Sequence, residues 1–197
     1  MAIAVEHEKR RKEILEKALI VFMEEGFADA TFQRIADHCG ITRTILYLYF
    51  KNKREIFAYS IKQLLSKVEE DIKAITSDNS LNSIEKITRI LLSIMNLFEQ
   101  NRQLLSVVLD YLMHLSKGSV DPETRLRRRT VRFRRILATL VREGVKTGEL
   151  KKVNIKTADD YLYSFVESAI FQLTVIKRKN LNELKEMVVF ALKQFSV

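Results

Sequence analysis

Between Thr42 and Phe57 the chain reads TRTILYLYFKNKREIF, with Tyr47, Tyr49 and Phe50 directly before Lys51, Lys53 and Arg54. A tyrosine hydroxyl can donate to a phosphate oxygen while its ring rests on a sugar. An arginine such as Arg43 can reach a base edge or a phosphate. The same residue types also make a plain core helix with a solvated basic end, and this stretch by itself does not separate the two. A second cationic run, RLRRRTVRFRR, holds seven arginines between Arg125 and Arg135. Arg125, Arg128, Arg129, Arg132 and Arg135 share one face at helical spacing, either a solvated outer face or one that attracts an anion. His38 and Cys39 are adjacent, but a structural zinc site takes four ligands and only His7 and His114 remain as further histidines. No Ser/His/Asp order, glycine-rich phosphate loop or paired-carboxylate signature stands out, and Asp159-Asp160 reads as a solvated helix start. The expectation is a protein that is not an enzyme and takes neither a metal nor a cofactor.

Those side chains must be held by helices. The 197 residues are 47% apolar and 30% charged, with five glycines and one proline. Strands need turn residues every few positions, so this composition favours an all-α fold. The net charge of +9 suits an anionic partner. One cysteine, Cys39, rules out an internal disulfide and suits a reducing cytoplasm. No apolar run approaches the ~18 residues of a membrane span. The N-terminus turns charged too early for a secretory signal. A cytoplasmic protein without a membrane partner is expected.

Along the chain, Ile14, Leu15, Ala18, Leu19 and Phe22 share a helical face that Gly26 ends. Thr31 can cap a short helix with Ile35 and Ala36 inward; Gly40 breaks it, and Thr42 can cap a second short helix over 43–49. With the helix before them, these make a helix-turn-helix pattern. Asn52 and Glu55 form a capping box that opens a helix from Lys53 to about Ile75. Ile84 to Phe98 keep helical spacing, and RQLLSVVLDYLMHL is apolar nearly all round. Asp121-Pro122-Glu123 is a strong helix start, with an end near Gly144 or Gly148. Asn154 opens the next helix, and Asn180 with Glu183 makes a capping box for the last, which reaches Phe195. The count is about nine helices.

Ile14, Ala18, Phe22, Gly26, Phe27, Thr31, Ile35, Ala36, Gly40, Leu46, Tyr47, Tyr49, Phe50, Lys53 and Ile56 together resemble the TetR family of bacterial transcriptional regulators. The resemblance covers residues 11–57; beyond it only the helix count and the REGVKTGEL stretch are similar. It implies a three-helix DNA-binding domain over 1–53 and a helical ligand-binding and dimerisation domain over 54–197. Cys39 and Thr44 depart from the small residues often found at those positions, and Leu48 stands at a variable one, so the operator sequence stays out of reach. A recognition helix packs one face and shows the other to DNA. Ile45, Leu46 and Phe50 are expected inward. Thr31, Arg34, Thr42, Arg43, Thr44, Tyr47, Tyr49 and Lys53 form the candidate DNA-binding set, Lys53 lying beside the backbone N–H groups of a helix start. Residues 1–53 carry nine Lys or Arg against eight acids, so this domain is almost neutral.

The function expected is a homodimeric repressor that binds a palindromic duplex operator and is released by an unidentified small molecule. The alternative is an architectural or cell-cycle DNA-binding protein of the same fold without an inducer. Met95, Phe98, Leu109, Leu112, Met113, Phe133, Tyr161 and Phe165 are the candidate ligand-binding residues. Phe171, Val175, Met187, Phe190 and Leu192, on the last two helices at roughly 155–178 and 181–195, are the candidate dimer interface. The helix from Lys53 is the candidate lever between the two activities.

Overall fold

Thr31 and Thr42 each accept a hydrogen bond from a backbone N–H three residues on, Arg34 at 3.1 Å and Ile45 at 3.2 Å, and so start two short helices. Gly40 separates them in the left-handed region at φ 67°, where a side chain would be strained. The computed structural model describes the backbone of residues 2–115 and 122–197 and the side chains of 5–112 and 130–197. Its helices are α1 (Ala2–Asp29), α2 (Phe32–Cys39), α3 (Arg43–Tyr49), α4 (Lys53–Ser77), α5 (Ser83–Gln100), α6 (Arg102–Leu115), α7 (Pro122–Thr147), α8 (Ile155–Thr174) and α9 (Asn182–Phe195). The fold is all-α: among the described residues, extended pairing is limited to one isolated bridge, Leu150 to Ser196. No helix among them is long and apolar enough to cross a membrane.

The chain forms two compact units. One comprises Met1–Lys67 and Ser106–Met113; the other, Val68–Leu105 and His114–Val197. By packing, the first unit therefore runs beyond residue 53 into α4 and takes in part of α6. Its core is Ile14, Ala18, Phe22, Ile35, Ala36, Leu46, Phe50, Ile56 and Phe57, all buried. Phe22 meets Phe57 edge-on at 4.9 Å, and Tyr111 of α6 packs edge-on against Phe27 at 4.3 Å and near Phe57 at 4.8 Å.

The second unit buries Ile87, Ile90, Leu91 and Met95 of α5, Leu137 and Leu140 of α7, Leu162 and Phe165 of α8, and Leu184 and Val188 of α9. The REGVKTGEL stretch has a packing reason. A side chain on Gly144 would stand 2.6 Å from Leu150 and 2.9 Å from Ser83, and Gly148 turns the chain at φ 79°. Glu149 then accepts from the Ser83 N–H at 2.7 Å and caps α5.

Three local expectations are corrected. The Asn180/Glu183 box does not form: α9 starts after Leu181 without a side-chain cap, Glu183 pairs with Arg178, and Glu99 accepts the Leu181 N–H instead. At α4, Asn52 caps the Glu55 N–H at 2.9 Å, but the returning Glu55 carboxylate takes the N–H of Lys51, at 2.6 Å. Asp159 is not solvated. It is buried, and Arg134 donates to it from Nε at 2.9 Å and from a terminal nitrogen at 2.7 Å.

Candidate nucleic-acid interface

Helix α3 is anchored by Leu46 and by Phe50 just beyond its end, both buried, and it exposes Thr42, Arg43, Thr44, Tyr47 and Leu48. Ile45, expected inward, is 40% exposed. The reason is length: seven residues make two turns, and one apolar residue per turn is enough to hold them.

Arg43 and the two tyrosines are held in place rather than left loose. Arg43 donates to the Tyr47 hydroxyl at 3.0 Å, with its guanidinium 5.5 Å from the Tyr47 ring. The Tyr47 ring stacks on Phe32 of α2 at 4.5 Å. Tyr49, half-buried, stacks on His7 of α1 at 4.6 Å. Rings fixed in this way lose little entropy when they meet a phosphodiester backbone.

The cations differ from expectation in their partners. Arg34 donates from Nε to Glu25 at 2.7 Å. Lys53 donates from Nζ to the carbonyls of Phe27, Ala28 and Ala30 at 2.9, 2.7 and 2.9 Å. Burial pushes the Lys53 ammonium below the ordinary lysine range. This side chain thus satisfies the carbonyls around the end of α1 and ties the first residue of α4 to them. Cys39 is buried, its thiol donating to the Ile14 carbonyl at 3.9 Å and pushed up in pKa by burial, while neighbouring His38 is exposed.

In the second unit, Met95 and Phe165 are buried, Phe98 and Phe133 half-buried, and Tyr161 exposed against Phe165 and Phe195. Leu109 and Leu112, both half-buried, group with the first unit, and the Met113 side chain lies outside the described residues. Phe171, Val175, Met187 and Phe190 are 54, 62, 56 and 66% exposed, whereas Leu192 is buried in its own core. Of the arginine-rich face, Arg132 and Arg135 are exposed, and the side chains of Arg125, Arg128 and Arg129 lie outside the described residues. Sequence reasoning missed Leu48 and Tyr111; the helical phase that buries Leu46 was the available signal for Leu48.

Residues 14–59 match the family described as bacterial regulatory proteins, tetR family. The fatty acid metabolism regulator protein of Bacillus subtilis is 24% identical over 170 residues, 83% of this chain and 84% of that protein. The transcriptional regulator PksA of the same organism is 36% identical over 88 residues, covering 45% of this chain and 42% of its own. Among solved structures, a TetR transcription regulator from Haloarcula marismortui superposes with a TM-score of 0.79 at 19% identity, over 96% of this chain and 97% of that one. The ketosteroid regulator KstR2 of Mycobacterium tuberculosis gives 0.70 at 18% identity, over 95% of each. At these identities the structural likeness is one of fold.

Proposed function

Because the chain belongs to the TetR family of bacterial regulatory proteins, and is thus a helix-turn-helix transcriptional regulator, we propose that it works in the cytoplasm as a homodimeric repressor of a palindromic operator. Residues 1–53 are its reading head. The observation that carries this is α3 itself: Leu46 and Phe50 hold it down while Arg43, Thr44 and Tyr47 face outward, Arg43 and Tyr47 bonded to each other. Two such helices one turn of DNA apart would enter successive major grooves. Thr31 and Thr42 present their capping hydroxyls beside them, and Tyr49 is assigned to a phosphate. Lys53 acts through the start of α4, where the backbone N–H groups face the phosphate chain.

The effector is proposed to be an apolar small molecule held in the second unit near Met95, Phe98 and Phe165. The relative that regulates fatty acid metabolism supports a fatty-acid-like chemistry. Binding would favour a form whose reading heads are wrongly spaced for DNA. Helix α4 spans the boundary between the units, as does α6, whose Tyr111 packs in the core of the reading head.

The test uses a duplex selected from random sequence by the full chain. Tyr49→Phe is expected to weaken every duplex alike, and Arg43→Ala to weaken binding and relax base preference. Wild-type affinity in both variants at equal salt would move the interface elsewhere. A long-chain fatty acid titrated into the complex is expected to release the DNA; no release would remove the proposed effector class and leave DNA binding standing.

A further inference from the structure

We propose that Leu48, supported by Ile45, reads the C5-methyl groups of thymines in the major groove, so that operator choice rests on apolar contact at the outermost point of α3 as well as on Arg43. The inference rests on the DNA-binding reading above and gives it a specificity element. A lone exposed leucine on a protein surface needs no explanation; what sets Leu48 apart is its position on α3. Helix α3 is fixed by Leu46, which is fully buried. At about 100° per residue, Leu48 lies about 160° around the helix from Leu46 and therefore points away from the protein. It is 74% exposed, and Ile45, one turn earlier, is 40% exposed. Thr44, at i−4 from Leu48, lies on the same side and is exposed.

Two of the cations near this face are committed within the protein, whereas Arg43 keeps donors to spare. Arg34 is held by Glu25 and Lys53 by three carbonyls, while Arg43 makes a single bond to the Tyr47 hydroxyl and stays exposed. The most exposed large apolar side chain of the reading helix is thus Leu48, ahead of Tyr47 and Ile45, with Thr44 beside it. In the major groove the apolar feature that distinguishes one base pair from another is the thymine methyl. A leucine cannot hydrogen-bond to any base edge, and against guanine, cytosine or adenine it would cover polar groups without pairing them.

The experiment uses full-length protein and a duplex it enriches from random sequence. Each dT is replaced in turn by deoxyuridine, which removes only the methyl. Wild type is expected to lose about fourfold in affinity at one or more dT per half-site, the value of one buried methyl group. Leu48→Ala is expected to bind the original duplex more weakly and to be indifferent to dT→dU at those positions. Ile45→Ala should blunt the effect only at a neighbouring dT. Circular dichroism on each variant confirms that these surface changes leave the helices intact. Wild type that binds normally but ignores every dT→dU change overturns the proposal, as does Leu48→Ala that keeps full sensitivity at every dT. Failure to enrich any duplex overturns the DNA-binding reading as well, which separates the two.

Discussion

A single ammonium at Lys53 meets three carbonyl oxygens around the end of α1, within 2.9 Å of each. Those carbonyls follow Gly26, where α1 is kinked with φ 78°, and lie at the end of the helix, where carbonyls have no partner within it. Lys53→Met is expected to lower unfolding stability by roughly 1–2 kcal/mol, since solvent can reach part of the site and replace some of the missing bonds. Lys53→Arg should not restore it, because a planar guanidinium cannot aim its donors at three oxygens clustered around one point. Urea unfolding of the two variants checks both statements. DNA affinity should fall alike for all sequences, because the start of α4 is displaced while the side chains that face the bases stay in place. In sequence, Lys53 reads as a cation near a helix start, which is correct. Its partners lie 23 to 26 residues away, and no spacing rule links them. Leu46 and Phe50 were legible as inward residues because burial follows helical phase; Ile45 was not, because a two-turn helix buries fewer positions than its apolar content suggests.

At the scale of elements, single threonine caps were legible, whereas the reciprocal capping boxes and the caps built across the fold were not. Thr31 and Thr42 cap as their positions imply, each bonding an N–H three residues on. The N-terminus of α9, in contrast, is closed by Glu99 of α5, and that of α5 receives Glu149 in addition to its own Asn82 box. Both carboxyls are held below the ordinary glutamate value of 4.5. At Glu99, burial pushes the value up, but the bonds from Lys185 at 2.5 Å and from the Leu181 N–H outweigh it. At Glu149 the Ser83 N–H dominates. A carboxyl whose folded value is depressed contributes stability that is complete above its unfolded value and is lost as pH falls through the folded one. Stability of the second unit is therefore expected to decline below about pH 4.5, and Glu99→Gln with Glu149→Gln should flatten that decline while lowering stability at neutral pH. Urea midpoints measured from pH 3 to 7 decide it; an unchanged acid slope in the double variant would assign the decline to other groups.

For the whole molecule, the decisive surface is the apolar one left uncovered on α8 and α9. Phe171 and Val175 stand four apart, and Met187 and Phe190 three apart, so each pair forms a stripe along its helix. All four are more than half exposed, although both helices also bury a separate apolar face in their own core. A helix that is apolar on two sides has two surfaces to cover, and a second copy of the same stripe is self-complementary about a two-fold axis. Burying these residues contributes up to about 1.5–3 kcal/mol for each large side chain, enough to favour association once several act together. Sequence spacing pointed to the stripe but also to Leu192, because composition cannot tell which of two apolar faces is turned inward; burial removes Leu192 from the proposed seam. Phe190→Glu places a charge where the partner's apolar surface would close over it. Sedimentation velocity is expected to show a dimer for the wild type and a monomer for the variant at micromolar concentration. Leu192→Glu, in contrast, should unfold the second unit rather than yield a folded monomer. The Phe190→Glu monomer keeps α3 intact, so it should still bind a single half-site weakly while losing the advantage of a palindromic duplex over that half-site. An undissociated Phe190→Glu dimer would place the seam on another face of the molecule. A monomer that still prefers the palindrome would mean that pairing takes place on the DNA.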